Sequence, residues 1–398
     1  MKYIHPFPAR MAPELALASI RKLKAKSVIL DPMMGSGTVL REALINGHTA
    51  IGYDLDPLAL MISKVATSPF DLVDFERFAK EVLNAAKNLK EHQIQLVWID
   101  NHPETIEFIN YWYAKPQENS IRKIIHVLSN YQNSKTVPEI YLEALKTALS
   151  RIIITKEMKA SLARDTAHSR PHRVAVNNDY DVFDGFESSI KSLIKILATY
   201  FKQSNNNASI HYGDARQMSN IESGFVDTII TSPPYLNAID YLRGHKFSLI
   251  WFGFNLTDIR NIRNFSVGIE KLLATDNFNK IIIDAIERSS SFEEHSKKMQ
   301  RTILKYAVDL NAVLTEYKRV IKPGGSATFV VGNSYIKGSI VDNSNILKLL
   351  AENIGFELRE NLIRQIPSQN RYLPVSNDGN NPLDKRMKQE NVMTFLAN

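Results

Sequence analysis

The sequence predicts an α/β protein with a doubly wound, mostly parallel sheet and helical insertions. Three observations lead to this prediction. Short apolar runs of strand length recur along the chain, segments with helical periodicity alternate with them, and two long stretches between them are mainly helical by pattern. Strands that alternate with helices in this way usually form parallel sheets through right-handed crossovers.

The first strand–helix–strand unit is predicted close to the N-terminus. Residues 27–31 (S-V-I-L-D) and 50–54 (A-I-G-Y-D) are the two strands, and residues 38–46 form a helix between them. Gly47 is suited to end this helix because glycine tolerates left-handed backbone angles. A further helix is predicted to begin near Pro57. This spacing fits one right-handed parallel unit.

The pattern of short apolar runs resumes in the second half of the chain. The final two runs are expected to form the last pair of strands, which is often antiparallel. The five later strands are predicted at residues 209–213, 226–231, 322–331, 356–363 and 392–395.

Two long segments separate these strands, and both are predicted to be mainly helical insertions. The first covers residues 71–207, where apolar residues recur at helical spacing, for example in residues 190–201. The second covers about residues 236–318 and contains the aromatic-rich string L-I-W-F-G-F. We therefore predict one sheet domain made of residues 1–70 and 208–398, with residues 71–207 as a separate helical region.

The composition limits the classes of function. The 398 residues are 44% apolar and 23% charged, which is ordinary for a soluble globular protein. The sequence has neither an apolar run of about 18 residues nor the apolar core of a signal peptide, so a cytoplasmic location without a membrane segment is expected. Because the chain has no cysteine, disulfides, thiolate nucleophiles and cysteine-ligated metal sites are excluded. The net charge of +7 gives weak support for a polyanionic partner.

A glycine-rich loop, D-P-M-M-G-S-G-T, occupies residues 31–38 between the first strand and its helix. Gly35 and Gly37 allow a ligand to approach the backbone, and the helix N-terminus offers free N–H groups. No Gly-Lys-Ser/Thr follows, which excludes a phosphate loop, and Leu40 replaces the third glycine of a dinucleotide loop. The loop therefore favours a compact, non-phosphorylated ligand that contains a nucleoside. A simple tight turn is the alternative.

Acidic residues end the second and third predicted strands. Asp54 is suited to accept hydrogen bonds from both ribose hydroxyls, and Asp214 to accept one from an adenine amino group. The alternatives are a helix cap for Asp54 and a structural turn for Asp214. Together with the glycine loop, the two acids favour an adenosyl ligand.

At this point the chain resembles the amino-group DNA methyltransferases. D-P-M-M-G-S-G-T resembles their S-adenosylmethionine loop, and T-S-P-P-Y, which ends the fourth predicted strand, resembles their catalytic tetrapeptide. H-P-F-P-A-R-M-A-P-E-L is similar to the element that precedes the cofactor loop. The resemblance covers residues 3–64 and 210–237 well. It implies a Rossmann-like, seven-stranded methyltransferase sheet, S-adenosylmethionine as the cofactor, double-stranded DNA as the partner, and no metal.

The resemblance also implies roles for individual residues. Phe7 and Arg10 would close over the cofactor pocket. Asp54 would bind the ribose and Asp214 the adenine, while the loop would line the methionine part through Asp31, Pro32, Gly35, Ser36, Gly37 and Thr38. The catalytic site would consist of Ser232, Pro233, Pro234 and Tyr235.

The chemistry of Ser-Pro-Pro-Tyr agrees with these roles. An exocyclic amine is a poor nucleophile because its lone pair is delocalised into the ring, and hydrogen-bond acceptors aimed at its N–H groups favour a more nucleophilic nitrogen. The Ser232 hydroxyl and the Pro233 carbonyl are suited to accept these bonds, and Tyr235 to stack on a base swung out of the duplex. Methylation of a pyrimidine ring carbon normally needs a cysteine, which this chain does not have.

The serine in the first position bears on the choice of target. In the family that the chain resembles, Ser-Pro-Pro-Tyr is mostly associated with the cytosine amino group, and Asp or Asn in the first position with adenine. We therefore expect N4-methylation of cytosine in a short DNA sequence, in a restriction–modification or solitary role, with a cognate restriction endonuclease as a possible functional partner. Adenine-N6 methylation of DNA, methylation of RNA or of a protein amide, and a non-enzymatic nucleic-acid-binding role are the alternatives.

The residues that read DNA are expected in the insertions, because the third and fourth strands lie too close together to hold a recognition domain between them. Residues 71–207 are the candidate recognition region. Arginine can contact phosphate or read guanine, although a solvated loop, a core helix or a plain surface loop would explain the same residues. The candidates are Arg164, His168, Arg170 and Arg173 in a basic loop, Arg243 and Lys246 after the catalytic motif, and Arg364 and Arg371 near the C-terminus.

Overall fold

The computed structural model describes residues 3–7, 11–236, 240–267, 279–336, 339–366 and 389–398. Its main element is a sheet of seven strands, in the spatial order β10-β11-β7-β6-β1-β2-β5. The strands are β1 (Val28–Asp31), β2 (Thr49–Asp54), β5 (Ser209–Tyr212), β6 (Val226–Thr231), β7 (Ile321–Val331), β10 (Phe356–Gln365) and β11 (Gln389–Ala397).

The pairing of the strands confirms the predicted α/β fold class. The pairs β1–β2, β1–β6, β2–β5 and β6–β7 are parallel, whereas β11 runs antiparallel to both β7 and β10. The chain order reverses direction at β1, which lies between β2 and β6. Ligands of doubly wound sheets bind at such a switch point, outside the carboxyl ends of the strands.

Fourteen α-helices lie within the described ranges, together with short 3-10 helices at Glu91–Gln93, Thr166–His168 and Phe292–Glu294. Two small hairpins, β3 (Ala163–Arg164) with β4 (His172–Arg173) and β8 (Ser334–Ile336) with β9 (Ser339–Val341), were not expected from the sequence. The helices are α1 (Pro13–Ile20), α2 (Thr38–Ile45), α3 (Pro57–Thr67), α4 (Leu72–Asn88), α5 (Val97–Asp100), α6 (Pro103–Trp112), α7 (Lys115–Ser134), α8 (Glu139–Ile153), α9 (Val182–Phe201), α10 (Leu242–Leu249), α11 (Leu256–Phe265), α12 (Lys280–Glu287), α13 (Lys297–Val320) and α14 (Asn343–Asn353).

The second predicted insertion does not form one unit. Its first part, α10 and α11, shares a hydrophobic core with α3 to α9, and the indole of Trp251 is fully buried in that core. Its second part, α12 and α13, packs on the sheet through residues such as Ile303 and Tyr306. Helix α13 leads directly into β7 and is therefore a crossover helix of the sheet, so the insertion ends before it and not at residue 318. None of the helices in the described ranges has the length and apolarity needed to cross a bilayer.

The N-terminal segment is anchored on the helical unit. Ile4 is buried in its core, and the Arg151 guanidinium donates a hydrogen bond to the Ile4 carbonyl oxygen at 2.8 Å. The His5 Nε2 atom lies 2.8 Å from the Ser150 hydroxyl oxygen. These contacts hold the segment in place, and Phe7 at its end lies over the loop that follows β1.

Candidate active site

A cavity of about 380 Å³ opens at the carboxyl ends of β1, β2, β5 and β6. Four groups of residues line it: the loop after β1, the acids after β2 and β5, the Ser-Pro-Pro-Tyr motif after β6, and one face of α10 and α11. Its volume falls in the range of small-molecule sites, about 300–1,000 Å³. The strand order therefore brings the two sequence motifs into one cavity.

The glycine loop has the backbone geometry that its sequence predicts. Gly35 and Gly37 both have left-handed φ angles, +50° and +75°. A Cβ at Gly35 would lie 3.2 Å from the ring of Phe7, and a Cβ at Gly37 would lie 2.9 Å from the Ser63 hydroxyl. That hydroxyl donates a hydrogen bond to the Gly35 carbonyl oxygen at 2.8 Å. A side chain at either position would be strained by the left-handed backbone and would crowd its neighbour.

Two carboxyl groups flank this loop, the buried Asp31 and the partly exposed Asp54. Asp31 accepts hydrogen bonds from the Thr231 hydroxyl at 2.7 Å and from the Met33 amide at 3.2 Å. Asp54 accepts one from the Gly35 amide at 2.9 Å. Burial and, to a smaller extent, the charge of Asp54 raise the pKa of Asp31 to about 7, against the effect of these hydrogen bonds. Burial, and then the charge of Asp56, raises the pKa of Asp54 to about 6.

The helix after β2 is capped by Asp56 and not by Asp54. The Asp56 carboxylate accepts a hydrogen bond from the Leu58 amide at 2.9 Å, as expected of a residue that precedes a helix with proline in its first turn. Asp54 instead orders the glycine loop. Asp56 also contacts the Nδ1 atom of His245 on α10, and the Phe7 ring lies 4.9 Å from the His245 ring. No sequence motif marks Asp56 or His245.

Asp214 is held by an arginine two residues later. The Arg216 guanidinium donates to both carboxylate oxygens of Asp214, at 3.0 and 2.6 Å. It also donates to Asp309 on α13 at 2.7 Å and to the Phe265 carbonyl oxygen at 2.7 Å. Asp214 lines the cavity. Arg216 thus fixes the orientation of the carboxylate, and any bond from a ligand must use the remaining lone pairs.

The Ser232 hydroxyl faces the cavity with its proton directed away from it. The Ser232 hydroxyl donates a hydrogen bond to the Val330 carbonyl oxygen on β7 at 3.0 Å. The Tyr235 hydroxyl oxygen lies 3.3 Å from the same carbonyl oxygen and 3.2 Å from the Ser232 hydroxyl oxygen. A hydroxyl has one proton and two lone pairs, so this arrangement leaves Ser232 as an acceptor towards the cavity. Pro233 is buried and Pro234 lines the cavity. Burial raises the pKa of Tyr235 well above its ordinary value.

Comparison with known proteins agrees with this geometry. The N6/N4 methyltransferase family model, described as DNA methylase, matches residues 226–391. The Type II methyltransferase M.MvaI of Kocuria varians is 22% identical over 95% of this chain and 86% of its own length. These matches support the amino-group DNA methyltransferase family. They confirm the resemblance seen in the sequence.

Further relatives extend the comparison. The Type II methyltransferase M.BsoBI of Geobacillus stearothermophilus is 24% identical over 84% of this chain and 74% of its own length. A SAM-dependent methyltransferase of Methanosarcina mazei overlays on 98% of this chain and 99% of its own, with 8% identity and a TM-score of 0.35. The strand order of the sheet shows the fold class.

These matches support S-adenosylmethionine as the cofactor and DNA as the substrate. The cavity fits an adenosyl cofactor: the left-handed Gly35 brings bare backbone under the Phe7 ring, and Asp54 holds an acceptor carboxylate beside it. In the described ranges, no group of three or more His, Asp or Glu side chains is placed to hold a metal ion. Phe7 lines the cavity, whereas Arg10 lies outside the described residues.

Replacement of Arg216 by glutamine is expected to weaken cofactor binding. Without the guanidinium, the Asp214 carboxylate loses two charge-assisted hydrogen bonds and is no longer fixed. A loss of about 1.5–3 kcal/mol for bonds to a charged group corresponds to an increase of about 10- to 100-fold in the dissociation constant. Isothermal titration calorimetry with S-adenosylmethionine measures the change.

Arg359→Gln is the matched control for this experiment. Arg359 lies on β10 and also pairs with a carboxylate two residues away, Glu357, but both side chains are about half exposed and lie outside the cavity. The control should bind the cofactor like the wild type. Equal affinities for wild type and Arg216→Gln would contradict the positioning role.

The basic loop lies next to α10. A Cβ at Gly244 on α10 would collide with the carbonyl oxygen of Thr166, so the 3-10 turn at Thr166–His168 packs directly on this helix. Within the loop, Arg170 is exposed, Arg164 pairs with Glu157 at 3.2 Å, and His168 lies 3.4 Å from Asp165. The fold therefore brings the basic loop beside the segment that follows the catalytic motif.

Arg173 has structural partners. Its guanidinium lies 4.7 Å from the centre of the Tyr111 ring and donates to the Ala175 carbonyl oxygen at 3.1 Å. Arg364 is even more strongly engaged, because Glu390 and Glu14 bind its guanidinium at 2.6 and 2.7 Å. These two pairs hold α1 and β11 to β10.

Arg243 and Lys246 lie on α10, at the mouth of the cavity or close to it. The Arg243 side chain is 63% exposed, whereas the Lys246 ammonium packs 5.0 Å from the centre of the Phe108 ring. Burial lowers the pKa of Lys246. Arg371 lies outside the described residues. The sequence analysis missed Arg263 on α11, which also lines the cavity, because no motif surrounds it.

Proposed function

We propose that this chain transfers a methyl group from S-adenosylmethionine to the N4 amino group of cytosine in a short duplex DNA sequence. The observation that carries the proposal is the Ser232 hydroxyl, which keeps its lone pairs for the cavity because its proton goes to the Val330 carbonyl. In the family, serine in this position is mostly associated with cytosine targets.

Five of the residues proposed from the sequence to bind the cofactor line the cavity: Phe7, Pro32, Gly35, Asp54 and Asp214. Asp54 accepts hydrogen bonds from the ribose hydroxyls, and Asp214 accepts one from the adenine amino group. Phe7 covers the glycine loop. Arg10 is proposed to close over the same pocket. The methionine part lies along Asp31, Pro32, Gly35, Ser36, Gly37 and Thr38.

The chain's own residues prepare the amine for attack. When bound, the cofactor supplies a methyl group on a sulfonium, which is a good leaving group. Ser232 and the Pro233 carbonyl accept hydrogen bonds from the target amine and so localise its lone pair on nitrogen. Tyr235 holds the base by stacking. The two prolines fix both acceptors, because each restricts the backbone and removes a competing N–H donor.

We propose that the helical unit reads DNA and that the sheet domain, residues 1–70 and 208–398, carries out the chemistry. Residues 71–207 form most of that unit, and α10 and α11 complete it, because they share its hydrophobic core. The loop with Arg164, His168, Arg170 and Arg173 packs on α10 and so presents its positive charge beside the cavity. Arginine is suited there to contact phosphate or guanine.

The relatives named above are Type II methyltransferases, and we propose that this enzyme likewise protects DNA from a cognate restriction endonuclease. That partner is functional and need not bind the chain. DNA from expressing cells should resist endonucleases that cut at the methylated sequence, whereas DNA from cells with Ser232→Ala should be cut.

Analysis of DNA nucleosides decides between the possible targets. DNA from cells that express the enzyme is digested and analysed by mass spectrometry, and N4-methylcytosine is the expected product. N6-methyladenine alone would overturn the cytosine assignment and retain an amino-group DNA methyltransferase. Methyl label that enters RNA or protein, but not DNA, would overturn both. Sequencing that maps methylated positions then gives the recognition sequence.

A further inference from the structure

Three cationic side chains surround one carboxylate at the mouth of the cavity. Asp240 lies 3.4 Å from the Arg243 guanidinium and 2.7 Å from that of Arg263. Lys246, one turn beyond Arg243 on α10, is close enough for its charge to interact with all three groups. One negative charge is therefore shared among three positive charges, and the group as a whole is cationic.

This group borders the same cavity as the catalytic motif. Asp240, Arg243 and Arg263 line it together with Ser232 and Tyr235. The arginine side chains are 63% and 44% exposed, whereas that of Asp240 is 16% exposed. A guanidinium has five N–H donors, and one carboxylate shared between two arginines cannot accept them all. Donors remain on the solvent side, where a bound DNA strand would pass.

We propose that Arg243 and Arg263 form a phosphate clamp that holds a phosphodiester next to the nucleotide whose base enters the cavity. The proposal rests on the function proposed above and identifies the part of the DNA that this group binds. Arginine is suited to the role because its planar fork donates paired hydrogen bonds to phosphate oxygens. Extrusion of a base rotates its backbone, and a clamp on the adjacent phosphate holds the strand in the rotated position.

A purely structural role for these ion pairs is the competing explanation, since Asp240 also joins α10 to α11. Arg260 provides a control for it. This residue lies on α11, less than one turn from Arg263, and its side chain is 53% exposed. Both of its terminal nitrogens donate to Glu104, one of them at 2.7 Å, and it does not line the cavity. Arg260→Gln therefore removes the same charge from the same helix at a site away from the clamp.

The test combines protein variants with DNA in which single phosphates are neutral. The full chain, loaded with a non-reactive analogue of the cofactor, is titrated with duplexes that carry the mapped recognition sequence. Each duplex has one methylphosphonate linkage, placed on either side of the target base or several nucleotides away. Wild type, Arg263→Gln, Arg243→Gln and Arg260→Gln are compared, and thermal unfolding of each variant with the analogue checks its folding.

We expect one linkage beside the target base to weaken binding of the wild type and of Arg260→Gln by about tenfold. The same linkage should have little effect on Arg263→Gln or Arg243→Gln. In these variants the phosphate charge that the linkage removes has already lost an arginine partner. An equal effect on all four proteins, or a position of greatest effect far from the target base, would overturn the clamp. Nucleoside analysis reports separately whether the enzyme methylates DNA at all, and the linkages are placed beside whichever base it methylates.

Discussion

Ser232→Ala is expected to lower kcat for DNA methylation by about 100- to 1,000-fold, as the loss of one preorganised hydrogen-bond partner of a transition state typically does. The affinity for S-adenosylmethionine should stay within about twofold of the wild type, since the glycine loop and Asp54 remain intact. Single-turnover methylation and calorimetry measure the two effects. We expect kcat to change and the affinity to stay, because the Ser232 hydroxyl donates its proton to the Val330 carbonyl and is left as an acceptor towards the cavity.

Two further variants sharpen this test. Tyr235→Phe keeps the ring for stacking but removes the hydroxyl that lies 3.2 Å from Ser232, so we expect a smaller loss of kcat, of about tenfold. Ser223→Ala is the matched control, because Ser223 precedes β6 at the end opposite to the cavity. Full activity in Ser232→Ala would refute the catalytic assignment. An equal loss in Ser223→Ala would indicate a general effect on folding.

The affinity for S-adenosylmethionine is expected to rise with pH between about 5.5 and 7.5, because the two acids that we propose to bind the cofactor lose their protons in this range. Burial raises the pKa of Asp31 to about 7 and that of Asp54 to about 6. Below these values the protonated carboxyls lack the negative charge that attracts a cationic cofactor, and Asp54 has fewer lone pairs for the ribose. The dissociation constant should fall by up to about tenfold per pH unit for each proton that must leave.

Without cofactor, the stability of the folded protein changes with pH in the opposite direction. Both folded-state pKa values lie above those of the unfolded chain, so the folded protein binds these protons more tightly. The stability that they contribute is fully present below about pH 4 and is lost as the pH rises through 6 and 7. The increase in Tm on addition of S-adenosylmethionine should therefore grow over this range.

Asp54→Asn separates the two acids in this experiment. The variant removes the titration near pH 6 and should flatten that part of the affinity profile, while the part near pH 7, from Asp31, remains. Calorimetry at constant ionic strength across the pH series measures both profiles. An affinity that does not change with pH in the wild type would show that neither acid is protonated in the free enzyme at these pH values.

The secondary structure was largely predictable because its signals are local. The strands that precede the cavity were placed to within about a residue, and α2 begins at Thr38 as predicted. The extent of the second insertion was wrong because helical periodicity shows that a segment is amphipathic, but not which partner covers its apolar face. Thus α10 and α11 were grouped with α13, although Trp251 packs in the helical unit and Tyr306 under the sheet.

The sequence by itself determined the two motifs and their order. Gly35 and Gly37 predict a tight loop because few other residues adopt their backbone angles, and Ser-Pro-Pro-Tyr predicts a rigid strand end because proline restricts its own backbone and that of the residue before it. Both predictions depend on neighbours along the chain, so the sequence was sufficient.

Only the tertiary structure decided how these motifs are completed. Val330 orients the Ser232 hydroxyl from a neighbouring strand, Phe7 reaches Gly35 from the N-terminal segment, and Arg216 joins Asp214 to Asp309 on a distant helix. Arg263 approaches Asp240 because α11 packs beside α10. Such contacts depend on strand order and helix packing, which are set by the burial of apolar surface over the whole chain and leave no local pattern to read.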